Sequence, residues 1–122
     1  VYQCKEKSSG SILAMKCIRS CPGDLDIVHV IFKEREALLK AGFHPNIASL
    51  HYAFQEDDEW FLILEYCDCG SLRNFMAAYW LVNKQPFLRT DEAKSIGMDI
   101  LEGLGHLHAL GILHRDLKLD NI

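Results

Sequence analysis

Apolar and polar positions change period several times along the chain, and each change marks an element. Residues 1–6 alternate loosely, and Ser11–Ile18 carries an apolar run, SILAMKCI. The polar EKSSGS between them reads as a turn, so the pattern predicts a β-hairpin. Pro22 and Gly23 in SCPGDLD break the second strand. Asp24 or Asp26 can then cap a helix running from about Ile27 to Ala41. Ile27, Val30, Ile31, Leu38 and Ala41 fall on one face at about 100° per residue. Glu34 sits inside that stripe, about 20° from Ile27, whereas Glu36 lies about 180° away on the wet side. A carboxylate aimed at the core needs a cation to offset its burial.

Gly42 and the His-Pro turn in GFHPNI end that helix. IASLHYAFQ and EWFLILEY read as two strands joined by the acidic turn EDD, and CDCGSL breaks the second of them. SLRNFMAAYWLVN forms a helix with Ser71 as cap, and KQPF is a loop. Thr90 is expected to cap a longer helix, with Asp91 and Glu92 favourable in its first turn. Ile96, Ile100, Leu104 and Leu107 form its inner stripe, and Gly97, Gly103 and Gly105 each weaken it by roughly 1 kcal/mol against Ala. The order is two strands, helix, two strands, then helices. It predicts an α+β protein of two unequal parts, divided near Glu65–Gly70.

Composition narrows the function classes. The 122 residues are 49% hydrophobic and 25% charged, with net charge −4. That argues against disorder and gives no basic patch for nucleic acid. No apolar run approaches the roughly 18 residues of a membrane helix, and the N-terminus has no signal-peptide core. The five cysteines, Cys4, Cys17, Cys21, Cys67 and Cys69, are odd in number. Neither close pair has the two-residue gap of a zinc site, so reduced thiols in an intracellular, cytoplasmic protein are expected.

The chemistry concentrates at the end of the chain, in HRDLKLDN, His114 to Asn121. This segment resembles the catalytic loop of eukaryotic protein kinases, in which a His-Arg-Asp is followed five residues later by Asn. LAMK, ending on Lys16, is similar to the Val-Ala-Ile-Lys motif of the same family. HPNI, LILEY and LGHLHALGILHRDLK fall where kinases carry the turn after the first helix, the approach to the hinge, and the long helix leading into the catalytic loop. The resemblance spans the whole chain in the family order. It implies a bilobal kinase-like fold: residues 1–64 in the first lobe, 65–70 as hinge, and 71–122 as the start of the second.

The resemblance also implies roles. Asp116 would accept the substrate hydroxyl proton, Lys118 would meet charge on the transferred phosphoryl group, and Asn121 would hold Mg²⁺. Lys16 would contact ATP phosphates and pair with a helix glutamate, Glu34 from the stripe, with Glu36 as the alternative. Val1 and Ala14 would cover the adenine ring and Leu64 would stand behind it. The Glu65 carbonyl and the Cys67 N–H would meet its edge. Leu38, Leu50 and His114 would stack between the lobes. Arg115 would answer an activating phosphate added by an upstream kinase. Lys118 points to Ser/Thr hydroxyls of protein substrates, since tyrosine kinases usually carry Ala or Arg there.

YAFQEDDEWFLILEY and LKLDN look closest to the cyclic-nucleotide-dependent, protein kinase C and calmodulin-dependent groups. CDCGSL departs from the first two, which have two glycines and a Glu here, and so does His114, where they usually have Tyr. The first departure puts a preference for basic substrates in doubt. The family's Gly-rich loop and Asp-Phe-Gly segment are not in the sequence, and the chain does not begin with Met. It is therefore expected to be an incomplete piece that does not catalyse transfer alone and folds only in part. Two other classes stand beside this one. A pseudokinase scaffold disagrees with the intact catalytic residues in view. A small-molecule kinase of related fold disagrees with Lys118 and with the HPNI-to-LEY register.

Overall fold

A computed structural model describes residues 1–21, 23–84 and 88–122. Pro22, expected to break a strand, and most of the KQPF loop lie outside the described residues. The chain divides into two compact units, Val1–Cys67 and Asp68–Ile122.

The first unit is a four-stranded antiparallel sheet with one helix. β1 (Tyr2–Lys5), β2 (Ile12–Arg19), β3 (Leu50–Glu56) and β4 (Glu59–Glu65) lie in the order β1-β2-β4-β3. The apolar run of β2 holds a central position because β4, the other strongly apolar strand, pairs along its whole length, Leu13 opposite Glu65 through Arg19 opposite Glu59. β3 carries one extra residue: Leu50 pairs with Leu64 and Tyr52 with Ile63, which leaves His51 as a bulge. The acidic turn is tight, and Asp57 takes φ 50°, a conformation Asp tolerates better than most residues.

α1 (Leu25–Ala41) starts two residues earlier than the apolar stripe suggests. Asp24 is the cap, its Oδ1 accepting from Ile27 N–H at 3.1 Å, and the Gly42 N–H closes the far end on the Leu38 carbonyl. Ile31 and Ala41 are buried, with Ile31 only 1% exposed. Val30, placed in the stripe by sequence, is 61% exposed. It sits about 100° from Ile31 and so falls off a contact face narrower than the stripe. Phe32 meets Trp60 of β4 edge to face at 5.0 Å. Leu13, Leu62 and Ile63 complete the core of this unit.

The second unit holds α2 (Leu72–Asn83) and α3 (Thr90–Ala109), followed by a segment of turns and irregular backbone. Ser71 caps α2, accepting from Asn74 N–H at 3.3 Å. Thr90 is not the cap of α3: it is the first helical residue, and Arg89 holds the cap position. The Arg89 amide donates to the Glu92 carboxylate at 2.9 Å, so Glu92 closes the helix start in place of a hydroxyl. Leu107 is buried, and Ile96, Ile100 and Leu104 are half-buried.

The C-terminus of α3 is a Schellman motif. Ile112 N–H donates to the Leu107 carbonyl and Gly111 N–H to the His108 carbonyl, both at 2.9 Å. Gly111 sits at φ 70°, where a side chain would be strained. This stop turns the chain out of the helix three residues before His114.

Candidate active site

The first unit holds one group of candidate residues, around Lys16. Lys16 and Ala14 alternate along β2 onto one sheet face, opposite Leu62 and Leu64 of β4. From α1, Glu34 reaches the same place. The Lys16 Nζ donates to Glu34 Oε1 at 2.6 Å and Oε2 at 2.8 Å. Both side chains are 35% exposed, so the pair is partly shielded. Glu36 is exposed.

Other positions singled out in this unit lie on α1, β2, β3 and β4 or just outside the strands. Ala14 and Leu64 are cross-strand neighbours and half-buried. Leu50 pairs with Leu64 on the other side, and both Leu50 and Leu38 are half-buried. Val1 is 82% exposed ahead of β1. The Glu65 side chain accepts from Ser49 N–H at 3.2 Å, while its own N–H donates to the Ser49 carbonyl at 2.8 Å. Cys67 follows β4 and is exposed.

The second unit holds another group, around Asp116. Asp116 N–H donates to the His114 carbonyl at 2.9 Å across Arg115, which takes φ 64°. That is a γ-turn with positive φ, a rare and strained conformation that concentrates at functional sites. The Asp116 N–H also faces His114 Nδ1 at 3.3 Å. The turn presents the Asp116 carboxylate to two partners. Lys118 Nζ donates to its Oδ2 at 2.8 Å, and Asn121 Nδ2 donates to Oδ2 and to the Asp116 carbonyl, each at 2.8 Å.

The Lys118 hydrogen bond first, and then that from Asn121, hold the Asp116 carboxyl below its ordinary value. The same contact pushes Lys118 up. Asp116 is therefore an anion and an acceptor across the ordinary pH range. Because Asn121 turns its NH₂ toward Asp116, its Oδ1 occupies the other arm of the amide.

Among the described residues, no group of three or more His, Cys, Asp or Glu is arranged to hold a metal, and no helix is long and apolar enough to cross a membrane. Asn121 Oδ1 is a hard oxygen donor of the kind Mg²⁺ takes, with water and phosphate oxygens filling most of the ion's sphere.

Sequence reasoning missed Arg73. It stands in the first turn of α2, where the positive end of the helix disfavours a cation and no acidic residue shares the turn. That mismatch is a signal that Arg73 has a distant carboxylate. The partner is Asp120, met at 2.6 and 3.0 Å by two guanidinium nitrogens.

Comparison with known proteins identifies the family. The family described as protein kinase domain matches residues 1–122. The chain is 30% identical, over all of its length, to the RAC serine/threonine-protein kinase of Drosophila melanogaster, and covers 19% of that protein. It is 39% identical over 75% of its length to the serine/threonine-protein kinase Sgk1 of Danio rerio, covering 20% of it. It is 35% identical over 75% of its length to the serine/threonine-protein kinase cds1 of Schizosaccharomyces pombe, covering 19%. The chain thus spans about a fifth of the length of these relatives, and it belongs to the protein kinase domain family.

Proposed function

We propose that the protein carrying this chain is a serine/threonine protein kinase, moving the terminal phosphoryl group of ATP onto Ser or Thr hydroxyls of protein substrates. The observation that carries the reading is the Asp116 carboxylate, held ionised between Lys118 and Asn121 at 2.8 Å each. Bound Mg²⁺–ATP supplies the phosphoryl group and neutralises the charge developing on it.

The chain's own residues do the rest. Asp116 accepts the proton of the substrate hydroxyl as its oxygen bonds to phosphorus and ADP leaves. Lys118 starts on that carboxylate and can exchange it for a phosphoryl oxygen. Asn121 offers Oδ1 to Mg²⁺. Lys16 has three N–H donors, and with two directed at Glu34 it keeps one for a phosphate oxygen. Val1, Ala14 and Leu64 supply apolar contact to the adenine, and the backbones of Glu65 and Cys67 meet its polar edge. Leu38, Leu50 and His114 act as apolar and aromatic packing residues. Arg115, an exposed cation on a strained turn, answers a phosphate added by an upstream kinase. Lys118 and the relatives' names favour Ser/Thr over Tyr. A kinase of this kind would work inside the cell, in the cytoplasm.

The test is phosphoamino-acid analysis after the full-length protein is incubated with Mg²⁺, γ-labelled ATP and a mixed protein substrate. Phosphoserine and phosphothreonine are expected. Label confined to tyrosine, or no label although ATP binds, overturns the reading.

A further inference from the structure

The start of α2 and the end of the candidate catalytic segment are joined by more than one ion pair. A helix leaves its first amides without partners. Here two of them go to the catalytic segment: Leu72 N–H donates to the Ile122 carbonyl at 2.7 Å and Arg73 N–H to the Leu119 carbonyl at 3.1 Å. The Arg73 side chain adds a two-pronged grip on Asp120. A planar guanidinium matched to both oxygens of one carboxylate fixes orientation as well as distance. Residues 119, 120 and 122 are therefore all tied to one helix end, and they bracket Asn121.

A single exposed pair contributes little by itself, and these side chains are 58% and 46% exposed. The grip matters here for what it holds. Asn121 donates to Asp116, so the placement of Asn121 sets the placement of the carboxylate. Charge allocation adds a second effect. Asp116 and Asp120 stand on either side of Lys118 in sequence, and Asp120 contributes to the field at the lysine. With both oxygens of Asp120 taken by Arg73, Lys118 stays on Asp116.

We infer that Arg73 is a positioning residue of the phosphoryl-transfer site: by clamping Asp120 to the first turn of α2 it fixes Asn121 and reserves Lys118 for Asp116. The inference rests on the kinase reading above, and its test separates the two. In the full-length protein, kcat, the KM for ATP and amide hydrogen exchange over residues 114–122 are measured for R73A, R73K, D120N and R73A/D120N.

R73A is expected to lower kcat roughly tenfold while the KM for ATP stays within about twofold, a smaller loss than the ~100-fold a 1 Å misplacement can bring. Exchange over 114–122 should accelerate. R73K, which keeps the charge and loses the fork, should recover part of the rate. D120N is close to isosteric and breaks the same clamp from its other end, so it should lower kcat as well. The double variant should be no slower than R73A, because both changes remove one interaction. Wild-type kcat and exchange in R73A, or effects that multiply in the double variant, overturn the inference. Asp116→Asn in the same protein reports on the reading beneath it: lost transfer there, beside an unaffected R73A, sinks the clamp and leaves the kinase.

Discussion

Replacing Glu34 separates two carboxylates that the helix pattern alone leaves in competition. Lys16 Nζ lies 2.6 and 2.8 Å from the two Glu34 oxygens. At an effective dielectric of about 20, unit charges at that range attract by roughly 6 kcal/mol before desolvation and ordering are subtracted. Hydrogen bonds to charged groups keep about 1.5–3 kcal/mol net. The 35% exposure of each partner argues for the lower part of that range. Glu34→Gln keeps one acceptor oxygen and loses the charge, a loss of about 1.5 kcal/mol in the orientation of Lys16. At 1.36 kcal/mol per decade, that is about a tenfold fall in kcat/KM for ATP. Glu34→Ala, which removes both acceptors, should fall further, toward ~100-fold. Glu36→Gln, on the exposed side of α1, should stay within about twofold of wild type. The assay is initial-rate phosphoryl transfer by the full-length protein at saturating Mg²⁺, with thermal melts alongside to exclude unfolding. Equal losses in Glu34→Gln and Glu36→Gln, or no loss in the former, refute the reasoning.

Other outcomes follow from the same geometry. The Lys118 and Asn121 contacts hold the Asp116 carboxyl below its ordinary 3.8. With the folded value depressed, the stabilisation these contacts give is present above the unfolded value and is lost as pH falls through the depressed one. Carboxyl-carbon NMR should show Asp116 titrating below 3.8, and Lys118→Met should move the midpoint up; a midpoint indifferent to Lys118 contradicts the assignment. Ile31→Ala, at a side chain 1% exposed, should lower unfolding free energy by about 2–5 kcal/mol, read from the urea midpoint at constant slope. Val30→Ala, one residue away and exposed, should stay within about 0.5 kcal/mol. Gly111→Ala places a side chain at φ 70° and should lower stability by about 1–2 kcal/mol. Gly111→Asn should lower it less, because Asn enters that region more readily.

Local rules made some of this legible in sequence. Among the described residues, alternation and a 3.6-residue stripe marked the strands and helices, because most of these elements turn one side toward packing and the other toward water. The same stripe singled out Glu34, seven residues from Ile27 and hence on its face. What stayed hidden depended on partners far along the chain or on turn geometry. Asp120 lies 47 residues from Arg73, and only the mismatch of a cation at a helix start hinted at their pairing. The γ-turn at Arg115 leaves no mark in composition, since nothing about Arg favours positive φ. Thr90 looked like a cap by residue type, yet the reach of Glu92 back to the Arg89 amide set the helix start one residue earlier. Val30 fitted the periodicity, but how wide a face the sheet covers is decided by packing.

The central claim is that Asp116 takes the substrate proton in an ATP-dependent transfer to Ser or Thr. Single-turnover transfer from γ-labelled ATP by the full-length protein, wild type against Asp116→Asn, tests it most directly. The substitution is nearly isosteric and keeps an acceptor for Lys118, so ATP binding should persist while the transfer rate falls by about 10²-fold or more. A rate unchanged in Asp116→Asn, with ATP bound and product formed, contradicts the account.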